Sequence, residues 1–105
     1  MIEAASTSIT CSSDLISEFE ADCLTRGITQ ETARRYLSSL KIFNQYLGDN
    51  GCNILEVDRD ILRNFINYLR SDREVSQRTI ETYFAAMASF FSYLEYERYI
   101  DKNPV

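Results

Sequence analysis

Histidine and tryptophan are absent from the 105 residues, proline occurs once, and glycine and cysteine occur three times each. Without histidine there is no Ser-His or Cys-His activation of a nucleophile. No pair of carboxylates stands in a recognisable catalytic context either, so catalysis by this chain alone is not expected. Cys11, Cys23 and Cys52 are odd in number and widely spaced. Neither a zinc site nor a disulfide framework follows from them, and free thiols are expected. Four glycine and proline residues cannot easily supply the reversals that an all-β sandwich needs about every 8 to 12 residues. Long apolar runs are missing as well. Tyr83 to Leu94 is interrupted by serine and falls short of the roughly 20 residues that cross a bilayer. Met1 to Ser13 carries one acid, no base and no apolar stretch of the kind found in a secretory leader. The expectation is a cytoplasmic chain with no membrane partner, no cofactor and no small-molecule substrate.

What remains is 45% hydrophobic, with 11 basic and 16 acidic side chains and a net charge of -5. A chain of this size has room for one core. Hydrophobic periodicity places four helices in it, so the fold class is all-α. The first is expected over Asp14 to Arg26, with Leu15, Ile16, Phe19, Cys23 and Leu24 on its apolar side and Gly27 as its stop. The second follows Thr29 as N-cap, carries Ala33, Tyr36, Leu37, Leu40, Phe43 and Leu47, and is expected to end before Gly48. Gly48 to Val57 reads as the loop of a helical hairpin. The third starts after Asp58, presents Ile61, Leu62, Phe65, Ile66 and Leu69, and breaks at Ser71 to Glu74, with Val57 and Leu62 in hydrophobic-staple positions. The fourth is capped by Ser76, carries Ile80, Tyr83, Phe84, Met87, Phe90, Phe91 and Leu94, and frays near Tyr96. Asn103-Pro104 disfavours further helix. Residues 1–13 are expected to be a flexible segment ahead of a domain spanning 14–105.

An internal repeat organises these elements. A shift of 47 residues lays Thr29–Leu47 on Ser76–Leu94 and matches Gln30 with Gln77, Thr32 with Thr79, Tyr36 with Tyr83, Phe43 with Phe90, and Tyr46-Leu47 with Tyr93-Leu94. A shared helical period matches apolar sites by chance, but it does not call for the same Gln and Thr in both first turns. Charge is also unevenly placed. Residues 1–25 hold Glu3, Asp14, Glu18, Glu20 and Asp22 and no base, so the remaining chain is neutral, and Arg34, Arg35 and Lys41 oppose only Glu31 on the second helix. Arg34, Ser38, Lys41 and Gln45 cluster on one flank of that helix, away from its apolar stripe. Thr29 and Ser76 mark helix N-termini, where backbone N–H groups attract phosphate oxygens, although capping alone also accounts for both hydroxyls.

The order and spacing of Thr32-x-x-x-Tyr36-x-x-x-Leu40-x-x-Phe43-x-x-Tyr46-Leu47, of Ser76 to Thr79, of Phe90-Phe91-x-Tyr93-Leu94 and of the closing Ile100-x-x-Asn103-Pro104 resemble the core-binding domain of tyrosine recombinases, the phage-integrase and Xer-type family. The resemblance covers roughly Leu15 to Val105. It implies a SAM-like bundle of four to five helices arranged as two crossed hairpins, which grips duplex DNA while a separate catalytic domain, expected after Val105, exchanges strands. Helices two and four would face the major groove. Carried over by position, the DNA-binding candidates are Thr29, Gln30, Thr32, Arg34, Arg35, Ser38, Lys41, Ser76, Gln77, Arg78, Thr79 and Thr82. The implied partners are double-stranded DNA and further recombinase protomers.

Two features pull elsewhere. Opposite its apolar stripe, helix four shows Thr82, Ala85, Ala88, Ser89 and Ser92, with Arg78 as its one base where family members often carry more. The leading helix is acidic. Both suit the competing reading, a helical module for protein partners without DNA binding. None of the seven tyrosines is expected to be a recombinase nucleophile, because phosphoryl transfer needs a convergent set of cationic and proton-donating groups. Tyr36, Tyr83 and Leu40 read as core.

Overall fold

Thr29, Asp58 and Ser76 each accept a hydrogen bond from the backbone N–H three residues on, and each opens a helix as the sequence predicts. The computed structural model describes residues 12–105. It contains α1 (Ser12–Thr25), α2 (Gln30–Asp49), a 3-10 turn (Ile54–Glu56), α3 (Arg59–Ser71) and α4 (Gln77–Tyr96), and no strand among the described residues. Helix α1 begins two residues ahead of Asp14, and residues 1–11, Cys11 included, lie outside the described part. It closes as expected at Gly27, whose φ of 88° is costly for a side chain. There Ile28 N–H donates to Cys23 O at 3.0 Å.

Helix α2 does not end before Gly48. It runs through Gly48 and Asp49, and the reversal falls at Gly51, φ 69°, where Cys52 N–H closes onto Leu47 O at 2.8 Å. Either glycine can end a helix. Cys52 N–H supplies the closing bond, and it becomes available only once the chain turns at Gly51. The following segment is not a bare loop. Asn53 Oδ1 accepts from Leu55 N–H at 2.8 Å and starts the 3-10 turn, which buries Ile54 in the core.

Aromatic rings join the helices. Phe19 of α1 lies 6.3 Å from Tyr36 of α2 and 5.4 Å and 5.8 Å from Phe90 and Tyr93 of α4. Phe43 of α2 meets Phe65 of α3 at 4.8 Å and Phe91 of α4 at 6.1 Å, and Phe65 also faces Tyr46 and Tyr83. Helices α2 and α4 are therefore the shared wall of two clusters. The 47-residue repeat is also a repeat of burial. Ala33 and Ile80, Ser39 and Ala86, Leu40 and Met87, Phe43 and Phe90, and Leu47 and Leu94 are buried pair by pair, and only Phe91 lacks a buried counterpart. Ser39 and Ala86 fall outside the predicted stripes. Their small size suits them to buried positions beside a neighbouring helix.

Some expectations about the core change. Leu24 and Phe84 belong to apolar stripes yet are 44% and 39% exposed. Leu24 sits in the last turn of α1, beside the Gly27 reversal. Phe84 lies at the mouth of a groove against α3 and Val105. Tyr36 and Tyr83 are half-buried, packed on the core rather than within it.

The C-terminal segment folds back. Asn103 Nδ2 donates to Ala88 O at 3.3 Å and to Ser92 Oγ at 3.2 Å, and Tyr99 O–H donates to Glu18 Oε1 at 2.9 Å beside Tyr93 O–H at 3.3 Å. Burial pushes the Tyr93 phenol up from its ordinary value, with the Glu18 charge adding to it; for Tyr99 the hydrogen bond to Glu18 comes first. Both phenols are harder to ionise folded than unfolded, so their contribution to stability is complete below about pH 10 and is lost as pH rises toward the folded values. Thermal melts from pH 8 to 11 should show a steeper alkaline fall for the wild type than for Tyr93→Phe/Tyr99→Phe. Parallel curves would show that the clasp does not couple to folding.

Candidate nucleic-acid interface

The two capped helix starts are built alike. Thr32 N–H donates to Thr29 Oγ1 at 3.2 Å while the Thr29 hydroxyl donates to Thr32 Oγ1 at 3.0 Å. Thr79 N–H donates to Ser76 Oγ at 3.2 Å, and the Ser76 hydroxyl donates to Thr79 Oγ1 at 3.1 Å. Each cap hydroxyl thus spends its proton within its own turn. The donors left over are the hydroxyl protons of the half-buried Thr32 and Thr79 together with the backbone N–H groups that a helix's first turn leaves without an intrahelical partner.

On α2 the side chains of Gln30, Arg34, Arg35, Ser38 and Lys41 are exposed, as expected. Arg35 pairs with Glu31 at 2.9 Å, but both are about 70% exposed, so the pair adds little to stability. Arg34 and Lys41 have no ion-pair partner among the described residues. On α4, Gln77, Arg78 and Thr82 are exposed, and the Thr82 hydroxyl donates to Arg78 O at 3.2 Å, which leaves it as an acceptor.

The small-residue face of α4 is not open along its length. Thr82, Ala85 and Ser92 are exposed, but Ala88 and Ser89 are half-buried. Asn103 reaches Ala88 O and Ser92, while Asp22 of α1 and Arg26 just after it line a cavity with Ser89 and Ser92. A segment of the same chain thus occupies part of the face that the sequence leaves free for a partner. Two acids of α1 are engaged. Glu18 serves Tyr93 and Tyr99, and Asp22 pairs with Arg26 at 2.7 Å. Neither is bonded to a DNA-binding candidate.

One cation escapes sequence reasoning. Arg70 in the last turn of α3 donates from Nη2 to Gln77 Oε1 at 3.2 Å, which brings a guanidinium to the first turn of α4. That turn contains no acid, unlike the first turns of α2 and α3, which hold Glu31 and Asp60. The pattern shows Arg70 only as the basic end of a helix; its neighbour is decided by the reversal at Glu74, φ 52°.

The described residues form four helices and no strand, two of the helices repeats of one another in sequence, burial and capping, and this is a SAM-like helical bundle. Residues 13–105 match the phage integrase SAM-like domain family, and the chain belongs to that family. Among curated relatives it is similar to Tyrosine recombinase XerC of Pediococcus pentosaceus, at 31% identity over 81 residues, covering 75% of this chain and 27% of that protein. It is also similar to Tyrosine recombinase XerC of Syntrophus aciditrophicus, at 34% identity over 101 residues, covering 88% of this chain and 32% of that protein. The chain therefore spans about a third or less of the length of these relatives. No solved structure matches it. No helix among the described residues is long and apolar enough to cross a membrane.

Proposed function

We propose that this domain binds double-stranded DNA through the first turns and polar flanks of α2 and α4, and positions it for strand exchange by a separate catalytic domain of a tyrosine recombinase. In this reading the bundle itself performs no chemistry, and further protomers join on the same DNA. The observation that carries it is the matched pair of capped helix starts, each with an exposed cap residue, a threonine hydroxyl three residues on and first-turn backbone donors. Arg34 and Lys41 lie on the flank of one and Arg78 in the first turn of the other. Phosphate contacts of this kind set register and orientation rather than sequence choice.

Three exposed cations predict how binding responds to salt. Each neutralised phosphate contributes roughly 0.9 to the slope of log K against log salt, so a slope near −3 is expected. Fluorescence anisotropy of a labelled 20-base-pair duplex, titrated with the chain from low to moderate salt, measures it. Absent or salt-independent binding would defeat the proposal.

A second reading, a helical module for protein partners, is favoured by the groove in which Leu62, Ile66, Phe84, Pro104 and Val105 form an apolar surface edged by Arg59, Arg63 and Arg70. Sedimentation of Ala85→Leu and Phe84→Ser variants separates the two readings. Self-association that either substitution removes, with no effect of added duplex, would favour the module.

A further inference from the structure

We propose that Arg70 is a positioning residue that fixes the amide of Gln77 and thereby turns base choice at one position toward guanine and away from adenine. The inference rests on the DNA-binding reading above and adds to it a residue and a specificity. A guanidinium can only donate, and the side-chain oxygen is the one acceptor on glutamine. The 3.2 Å bond from Arg70 Nη2 therefore requires Gln77 to turn Oε1 toward α3 and leave its NH2 group pointing away.

The bond joins different helices. Arg70 stands in the last turn of α3, where a cation is favoured by the helix dipole, and Gln77 is the first residue of α4. Between them the chain reverses through Glu74 at φ 52°, and Val75 N–H closes onto Leu69 O at 3.1 Å. Arg70 has no carboxylate partner among the described residues, so nothing there competes with Gln77 for it.

The consequence lies in the pattern of donors and acceptors on base edges. Glutamine reads adenine by accepting from N6 through its oxygen while donating to N7 through its NH2. With Oε1 turned toward Arg70 and α3, the group that Gln77 presents on its other side is the NH2 donor, and the oxygen's second lone pair stays on the Arg70 side. Guanine presents two acceptors, O6 and N7, in the major groove and suits a group that only donates. An unrestrained glutamine has no such bias.

The test is selection from a pool of 20-base-pair duplexes with randomised central positions, using the full chain and its variants. The wild type should enrich guanine at one position, and Gln77→Ala should lose that enrichment, by about tenfold for one base contact. Arg70→Met, which keeps the stem and removes the donors, should switch the same position to adenine, while Arg70→Lys should retain guanine. A purely structural role for Arg70 would lower retention without changing the base. Both side chains are exposed, so far-UV circular dichroism checks folding, and Arg70→Ala serves as a second variant. An unchanged base in Arg70→Met and Arg70→Ala overturns the inference while leaving DNA binding standing. A wild-type chain that retains no duplex at all overturns both.

Discussion

Replacing Phe19 by alanine is expected to destabilise the domain by about 3 to 5 kcal/mol, the range for deleting a buried phenylalanine ring. Phe19 is fully buried and packs against rings of α2 and α4 at once, so it ties α1 to both helices. The neighbours cannot close the gap easily. Tyr93 is held at its outer end by Glu18, and Phe90 is already packed against Phe91. Domains of this size are stable by roughly 5 to 15 kcal/mol, so the variant would keep a small margin or none. Phe84→Ala is the matched control. The same atoms are deleted at a site 39% exposed, and a loss below about 1 kcal/mol is expected there. Urea denaturation followed by circular dichroism gives both numbers. Equal losses at the two positions would mean that α1 is not docked through Phe19.

The second large effect concerns binding. Changing Arg34, Arg35 and Lys41 together to glutamate should lower duplex affinity by at least about 100-fold at low salt, because each reversal replaces an attraction to phosphate by a repulsion. The salt slope should fall by about 2, one unit for each of the two unpaired cations, since Arg35 is already shared with Glu31. Folding should survive. The three side chains are exposed, and the two new like-charge pairs, 31 with 34 and 31 with 35, cost only about 0.2 to 0.5 kcal/mol each. Net charge alone would also weaken binding, so the control reverses Arg98 and Lys102, which lie beyond the opposite end of α4 from Ser76. That end is roughly 30 Å away at 1.5 Å per residue. Gel retardation of a duplex by both variants decides the matter. Retardation that is unchanged in the triple variant, or equally weakened in the distal control, would remove the α2 flank from the interface.

Much of the architecture is legible before any coordinates. The caps at Thr29, Asp58 and Ser76 and the stop at Gly27 are read correctly because each depends on atoms within a few residues. The same locality explains the burial repeat, since a 3.6-residue period fixes which side of α2 or α4 is apolar whatever packs against it. The failures have the opposite character. Gly48 and Gly51 are both competent to end α2, and the choice between them rests on the bond that Cys52 N–H makes after the chain has turned. Ile54 belongs to a segment too short to show a period, so its burial is invisible until the 3-10 turn places it under the helices.

The candidate site divides along the same line. The hydroxyls, the amides and the cationic flank of α2 follow from sequence, because exposure on a lone flank is a property of one helix. Two things do not: the partial closure of the small-residue face by Asn103 and the arrival of Arg70 beside Gln77. Sequence by itself determined the helices, their capped starts, the repeat and the supply of polar and cationic groups. Only tertiary structure decided which of those groups remain free and which are brought together. Periodicity and capping are short-range, whereas the meeting of α3 with the first turn of α4, and of the C-terminal segment with Ala88, depends on how the whole chain reverses and packs.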